Sequence, residues 1–178
     1  IGFTTDGAFA EYLNIPARNV IRLPNEISYE EGAIISDAVA TPYHALVDKA
    51  KVRICETVVI QGIGGLGLSA VQIAKAIGAK VIAVDIDDRK LELAKKFGAD
   101  ETVNANKQDF EKEVKRFTDG KGAHIHIELV GIPLTIERGL SGLRNTGKFV
   151  IVGYSFPLKF TADPTVFVYK ELEIIGSL

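Results

Sequence analysis

One glycine-rich segment has the spacing of a turn that binds a diphosphate: TVVIQGIGGLGLSAVQIAKAIGAKVIAVD. Gly62 permits a tight turn from strand to helix, Gly64 lets a phosphate approach bare backbone, and Gly67 allows the helix to pack closely on the strand. The N–H groups of Gly64, Gly65 and Leu66 would face the ligand, with the positive end of the helix dipole behind them. The turn can therefore bind a pyrophosphate without any lysine.

An acidic residue follows the second strand of this segment, at the distance where a ribose would lie. Asp85 comes about 20 residues after the glycines, and its carboxylate can accept hydrogen bonds from both hydroxyls of an adenosine ribose. The alternative is a purely structural turn, since glycine-rich turns between a strand and a helix are common. Strand, glycines, helix, strand and acid occur here together and in order. This agreement favours a dinucleotide site.

The three histidines and the single cysteine give no comparable pattern. His124 and His126 alternate along a predicted strand and share one face, but two histidines without a third ligand make a poor metal site. We interpret His44 as a helix-surface residue and Cys55 as a bystander thiol. No Ser-His-Asp arrangement is evident, and no pair of carboxylates suits acid–base catalysis.

Alternating strand and helix signals continue on both sides of the glycine turn. Apolar, β-branched runs predict strands at residues 58–60, 80–84, 100–104, 124–130, 148–152 and 172–176. Helices are predicted between them, with Asp87 and Asn106 as N-caps, Gly98 as a stop and Pro133 in a first turn. This order predicts an α/β fold with a doubly wound, six-stranded parallel sheet of the Rossmann type.

The beginning of the chain differs from the rest. Residues 9–13 and 19–23 are predicted to be strands of an antiparallel or barrel-like region. They are too few to form a core, so residues 1–24 are interpreted as the tail of a preceding β-rich domain and residues 25–178 as the Rossmann domain. The sequence Ser28-Tyr29-Glu30-Glu31 is a capping box that begins a helical stretch. A second helical piece is expected over residues 37–50.

Composition excludes several classes of protein. A net charge of −2, with no basic run, gives no electrostatic case for nucleic acid or for an acidic membrane surface. One cysteine excludes an internal disulfide and a multi-cysteine zinc site, and favours a cytoplasmic setting. No apolar run approaches the length of a membrane span. The chain begins at Ile1 and has no methionine, so we expect it to be part of a longer protein.

Six separate blocks of sequence resemble one enzyme family. They are GAFAEYL at 7–13, DAVATPYHAL at 37–46, GIGGLG at 62–67, GAKVIAVDIDDRKLELAKKFGAD at 78–100, IELVG at 127–131 and GKFVIVGY at 147–154. Together they resemble the medium-chain, zinc-dependent alcohol dehydrogenases over nearly the whole chain. The resemblance implies an NAD-binding Rossmann domain that follows the last strands of a GroES-like catalytic domain.

The resemblance also assigns residues to the coenzyme. The pyrophosphate turn would consist of Gly62, Gly64, Gly65, Leu66 and Gly67, with Leu66 also beneath the nicotinamide. Asp85 would hold the adenosine ribose with help from Lys90, for which a solvated helix lysine is the alternative. The loops around the nicotinamide and its ribose would contain Val130, Gly131, Val152, Gly153 and Tyr154, and backbone around Ser177 would bind the carboxamide. The alternative for these positions is a buried sheet end.

Asp37 stands where the family usually has a cysteine that ligates catalytic zinc. Either the acid is itself the ligand, as in a similar branch of secondary alcohol dehydrogenases with the pattern DAxxTPYHA, or the protein is a zinc-free relative. A carboxylate is a chemically sound zinc ligand, and the surrounding match favours the ligand over a helix-start acid. Thr41, one turn later, matches a catalytic-site residue that touches the nicotinamide ring.

The implied reaction of the full enzyme is reversible oxidation of an alcohol to a ketone or aldehyde by hydride transfer to NAD. This chain alone would lack most of the catalytic site and is expected to be inactive. The family also implies a homo-oligomer, a dimer or tetramer, with residues 172–176 near a subunit boundary. One alternative is a zinc-free quinone or enoyl reductase that uses NADPH, which Asp85 disfavours. Another is an NAD-sensing regulatory domain, which residues 1–24 and Asp37 disfavour.

Overall fold

The computed structural model describes residue 2, residues 5–156 and residues 159–178. Ile1, Phe3 and Thr4, which belong to the predicted domain tail at residues 1–24, lie outside the described residues. The chain divides into two units, Ile1–Ala33 and Ile34–Leu178. Each unit is described by itself.

The first unit contains no β-strand among its described residues, so the strands predicted at residues 9–13 and 19–23 are wrong. A strand requires a neighbour that pairs with its N–H and C=O groups, and the described part of this unit offers none. A single 3-10 turn is present at Ala17–Asn19. The capping box is confirmed: the Ser28 N–H donates to the Glu31 carboxylate at 2.9 Å, and the Glu31 N–H donates to the Ser28 hydroxyl at 3.2 Å.

Helical structure leads into the sheet. The helix α1 spans Tyr29–Ile34, and α2 spans Ala40–Tyr43. Two π-helical segments, Ile35–Val39 and His44–Ala50, lie on either side of α2. The helical prediction for residues 37–50 is therefore confirmed. Single π-helical turns often occur at functional sites, and Asp37 lies in the first of these two.

Six parallel strands form one sheet in the order β3-β2-β1-β4-β5-β6. The strands are β1 Thr57–Gln61, β2 Lys80–Asp85, β3 Glu101–Asn104, β4 Ala123–Glu128, β5 Leu143–Ile151 and β6 Glu173–Gly176. The predicted doubly wound sheet is confirmed. Because β4 returns to pair with β1, the chain direction across the sheet reverses between them, and a crevice forms at their carboxyl ends.

Five further helices connect these strands: α3 Gly65–Ile77, α4 Asp88–Lys96, α5 Phe110–Phe117, α6 Pro133–Ser141 and α7 Pro164–Lys170. Three helix-boundary predictions are confirmed. The Asp87 side chain caps α4 by accepting from the Arg89 N–H, Gly98 follows its end with a φ of 107°, and Pro133 opens α6. The helix α7 had no counterpart in the predicted elements.

The predicted N-cap of α5 is wrong. Asp109 caps this helix by accepting from the Lys112 N–H at 3.0 Å, and Asn106 lies in the preceding turn. In that turn the side-chain oxygen of Asn104 accepts from the Asn106 N–H at 3.0 Å. The local bond holds Asn106 in a turn conformation, so the helix begins at Phe110.

Apolar residues on both faces of the sheet form the core. Every residue of β1 is buried, which confirms the prediction for its apolar run at residues 58–60 and extends to the polar residues Thr57 and Gln61. On one face, Val58 and Ile60 pack with Val71 and Ala74 of α3. On the other face, Val59 belongs to a cluster that includes residues of α5. These layers hold the carboxyl ends of β1, β2 and β4 in place. Among the described helices, none is long and apolar enough to cross a membrane.

Candidate nucleotide-binding site

The glycine turn connects the end of β1 to the start of α3. Gly62 has a φ of +97°, which a residue with a side chain rarely adopts. A Cβ atom added to Gly67 would lie 2.1 Å from the carbonyl oxygen of Gly62, so only glycine fits where the helix crosses the turn. In contrast, a Cβ atom at Gly64 or Gly65 would meet no atom within 4 Å. Gly62 and Gly67 therefore shape the turn, whereas Gly64 and Gly65 leave open space over bare backbone.

The first turn of α3 supplies hydrogen-bond donors at this open space. The helix begins at Gly65, and its N-cap residue, Gly64, contributes no side chain. The first N–H groups of a helix have no carbonyl partner within the helix, and the helix dipole adds partial positive charge there. Together these features provide a docking position for an anion beside Leu66.

Asp85 ends β2 and links this strand to the glycine turn. Its Oδ2 accepts from the Ile63 N–H at 2.7 Å, and its Oδ1 accepts from the N–H groups of Ile86 and Asp87 at 2.8 and 3.0 Å. The side chain is 8% exposed. A carboxylate has about four acceptor positions, so about one remains for a ligand, on Oδ2. The expectation that Asp85 accepts from both ribose hydroxyls stays a prediction.

Lys90 provides a cation beside this acid. Its Nζ lies 3.8 Å from Oδ2 of Asp85, and its side chain is about half exposed. At 3.8 Å the two groups are too far apart for a hydrogen bond. The side chain is therefore free to contact a ligand at the same carboxylate.

A cleft of about 460 Å³ lies over the glycine turn and Asp85. It brings together eight of the predicted coenzyme residues: Gly62, Gly64, Gly65, Leu66, Gly67, Asp85, Lys90 and Val130. Sequence reasoning missed several other lining residues, which include Gln61, Asn106, Thr135 and Arg138. Gln61 could have been found from its position at the end of a buried strand. Nothing in the sequence indicated that Arg138, on the exposed side of α6, reaches this cleft.

Three further predicted coenzyme residues line a second pocket, of about 400 Å³. Val152, Tyr154 and Ser177 line it together with His44 and Lys49. The Ser177 side chain is buried, and its hydroxyl has no hydrogen-bond partner among the described residues. This pocket is therefore able to receive a polar group.

Gly131 and Gly153 line neither space and instead form a tight crossing of two loops. A Cβ atom on Gly131 would lie 2.3 Å from the backbone nitrogen of Tyr154, and one on Gly153 would lie 2.3 Å from the carbonyl carbon of Leu129. The structure therefore gives both glycines a packing role beside the predicted coenzyme loops.

Asp37 and Thr41 are in direct contact. The Thr41 hydroxyl donates to the Asp37 carboxylate at 2.8 Å, and Asp37 is exposed. Asp37 does not cap the helical segment in which it lies, because Ile34 occupies the N-cap position. Among the described residues, no three His, Cys, Asp or Glu side chains come together to hold a metal ion. These residues alone therefore do not fit a catalytic zinc site, which needs three protein ligands.

The histidines and the cysteine lie outside the nucleotide cleft. His126 is 1% exposed and stacks on Phe149 with ring centroids 4.7 Å apart. The Nδ1 atom of His124 accepts from the Thr57 N–H at 3.0 Å; partial burial and the nearby Arg144 guanidinium lower the pKa of His124. His44 contacts Asp48 at 2.7 Å and is partly exposed on a helix surface, as predicted.

The cysteine position has an unusual backbone. Cys55 is exposed and has a φ of 67°, and its N–H donates to the Gly78 carbonyl at 3.0 Å. A glycine would adopt this φ without strain. Cys55 therefore lies in a tight backbone turn before β1, and its interpretation as a bystander thiol stays a prediction.

Comparison with known proteins gives consistent results. Residues 65–178 match the family described as "Zinc-binding dehydrogenase". The chain is 39% identical to the NAD-dependent alcohol dehydrogenase of Sulfurisphaera tokodaii over 100% of this chain and 51% of that protein. It is also 39% identical to an alcohol dehydrogenase of Geobacillus stearothermophilus, over 99% of this chain and 51% of that protein.

A solved structure shares the fold at similar identity. The alcohol dehydrogenase of Aeropyrum pernix superimposes with a TM-score of 0.91 and 36% identity, over 100% of this chain and 52% of that chain. This chain therefore spans about half the length of the relatives that it matches. The family match covers well over half of the chain and agrees with the resemblance in the sequence blocks. The chain belongs to the medium-chain, zinc-binding alcohol dehydrogenase family.

Proposed function

We propose that this chain is the NAD-binding part of an NAD-dependent alcohol dehydrogenase. The observation that carries the proposal is Asp85, whose buried carboxylate ends β2 beside the glycine turn and retains an acceptor position facing the cleft. An acid at this position suits a ribose with free hydroxyls and repels a ribose that carries a 2′-phosphate. In this proposal residues 25–178 form the coenzyme domain, and residues 1–24 belong to a catalytic domain.

The coenzyme would lie across the carboxyl ends of the strands. The amides of Gly65 and Leu66 would bind the pyrophosphate, and Asp85, assisted by Lys90, would bind the adenosine ribose. The second pocket, with Val152, Tyr154 and Ser177, would receive the nicotinamide half. When bound, NAD supplies a hydride acceptor at its nicotinamide ring. The chain's own contribution is to fix the position of that ring.

Thr41 and Asp37 would face the reacting end of the coenzyme. We propose that Asp37 contributes one zinc ligand and that Thr41, held by its bond to Asp37, contacts the nicotinamide ring. The other ligands would have to come from outside the described residues, which bring no two further ligands to Asp37. We therefore expect the chain by itself to bind coenzyme without oxidising alcohols.

The proposed substrate is an alcohol that is oxidised reversibly to a ketone or aldehyde. This proposal is supported by two of the relatives, those of Sulfurisphaera tokodaii and Geobacillus stearothermophilus, which are alcohol dehydrogenases. An exposed sheet edge supports a homo-oligomer, since residues of β6 such as Glu173 and Ile174 are exposed and an unpaired edge strand invites association. The single, unpaired cysteine suits a cytoplasmic setting.

Titration of the chain with NADH, followed by coenzyme fluorescence, tests this proposal. We expect a saturable signal with one coenzyme per chain that is displaced by NAD and by AMP, because both share the adenosine half. A fluorescence signal that rises linearly with NADH concentration and is not reduced by NAD or AMP would contradict the proposed function.

A further inference from the structure

Glu128 is a buried carboxylate at the carboxyl end of β4, where the sheet order reverses. Its side chain is 0% exposed. It ends a strand in which apolar residues alternate with His124 and His126, and it pairs with Gln61 at the end of β1. A buried carboxylate is costly unless it is well bonded, so its bonding partners indicate its role.

One carboxylate oxygen of Glu128 binds the loop that follows β4. Its Oε1 accepts from the N–H groups of Val130 and Gly131 at 2.8 and 2.7 Å. The Thr135 hydroxyl lies 3.0 Å from the same oxygen and 2.9 Å from the carbonyl of Ile132, so it shares its single proton between them. This oxygen therefore fixes the loop and the first turn of α6.

The backbone of Glu128 holds the neighbouring loop, which follows β5. Its carbonyl oxygen accepts from the N–H groups of Val152 and Gly153 at 3.0 and 2.9 Å. The two loops touch where Gly131 approaches the backbone of Tyr154. A shift of one loop therefore displaces the other. Glu128 is therefore bonded to four residues of these two loops: Val130 and Gly131 through its side chain, and Val152 and Gly153 through its backbone carbonyl.

The second carboxylate oxygen lies in a small polar group beneath the cleft. Oε2 is 3.7 Å from Nε2 of His126, and it lies on the same sheet face as the Gln61 side chain. Within the described part of the chain, Oε2 of Glu128, Nε2 of His126 and Oε1 of Gln61 have no hydrogen-bond partner. The side-chain hydrogen bonds of Glu128 are therefore all made by Oε1, to the loop that follows β4 and the start of α6.

We propose that Glu128 is a positioning residue for the coenzyme. Its side chain acts through Val130 and Gly131, whose N–H groups it holds, and through the contact of Gly131 with the loop that follows β5. It does not itself contact the ligand. The proposal rests on the proposed binding of NAD(H) at this site. It requires a hydrogen-bond acceptor at Oε1 and does not require the negative charge.

Two substitutions separate the acceptor from the charge. Glu128→Gln keeps an oxygen for the three donors, whereas Glu128→Leu leaves them unpaired at similar volume. We expect the NADH affinity of Glu128→Gln to lie within about three-fold of that of the unaltered chain. The affinity of Glu128→Leu should be at least about ten-fold weaker, because three donors lose their common acceptor. Fluorescence titration measures both, at a temperature where circular dichroism shows that each variant is folded. Glu92→Gln and Glu92→Leu, on the exposed side of α4, are the matched controls and should change nothing.

A second pair of variants covers the case in which Glu128→Leu does not fold. Thr135→Val removes one donor to Oε1, and Thr135→Ser retains it. We expect a several-fold loss of NADH affinity for the valine variant and near-normal affinity for the serine variant. Equal affinity within each pair, or an equal loss in Glu128→Gln and Glu128→Leu, overturns the positioning role. Absence of NADH binding by the unaltered chain would instead overturn the proposed function, which is a separate and distinguishable result.

Discussion

Asp85 and Ile63 are joined by a hydrogen bond of 2.7 Å that links the end of β2 to the middle of the glycine turn. The same carboxylate that is proposed to recognise the ribose therefore also holds the turn that is proposed to bind the pyrophosphate. Substitution of Asp85 would damage both functions. The loss of NADH affinity alone could not identify the cause, and a comparison between coenzymes is needed.

The first prediction concerns two glycines of the turn that have opposite surroundings. Gly67→Ala would place a Cβ atom 2.1 Å from a backbone oxygen, so we expect the free energy of unfolding to fall by at least about 1–3 kcal/mol. Gly64→Ala meets no atom within 4 Å and should change stability by less than about 1 kcal/mol, but it should weaken NADH binding by covering bare backbone. Urea unfolding and NADH titration measure the two effects, and equal stability losses would contradict the assignment.

The second prediction concerns the pH dependence of stability. Burial and the nearby Arg144 lower the pKa of His124 in the folded chain below its unfolded value of about 6.5. Between these two pKa values the unfolded chain binds a proton that the folded chain does not. The free energy of unfolding should therefore fall as the pH decreases from about 6.5 to the folded pKa, and this contribution should be complete above about 6.5.

His124→Asn tests this pH dependence, since its side-chain oxygen can still accept from the Thr57 N–H. We expect a shallower decrease in the free energy of unfolding below about pH 6.5 than in the unaltered chain. Urea unfolding at a series of pH values measures it. Identical slopes for the two proteins would show that His124 does not contribute.

The third prediction concerns Asp37 and metal. Because the described residues do not gather three ligands, added zinc should not be retained stoichiometrically by this chain after dialysis. Asp37→Ala should leave NADH affinity within a few-fold, since Asp37 does not line the nucleotide cleft. Metal analysis and NADH titration check both statements. Stoichiometric zinc that Asp37→Ala removes would mean that the chain itself forms the metal site.

Sequence reasoning succeeded where one local pattern determines the structure. The apolar run of β1 and the spacing of the glycines each predicted a feature that the structure contains. The role of Asp85 at the adenosine ribose stays a prediction. The capping box at Ser28 succeeded for the same reason, because both of its bonds form within one turn.

It failed where the outcome depends on a more distant or competing contact. Asn106 is of a residue type that favours the N-cap position, but its N–H donates to the Asn104 side chain and holds it in a turn. The helix is therefore capped by Asp109. The start of β5 at Leu143 depends on pairing with Ala123, across an irregular register that no local pattern encodes. The sequence around Glu128 gives no sign of its contacts with two separate loops, which form only in the folded chain.

The most direct test of the central claim is the ratio of the dissociation constants for NADPH and NADH. Charged hydrogen bonds to a ribose hydroxyl contribute about 1.5–3 kcal/mol, so NADH should bind at least about ten-fold more tightly than NADPH. Asp85→Ser should bring this ratio towards one, whereas damage to the glycine turn would weaken both coenzymes equally and leave the ratio unchanged. Equal or tighter binding of NADPH by the unaltered chain would contradict the assignment of Asp85 and, with it, the proposed NAD site.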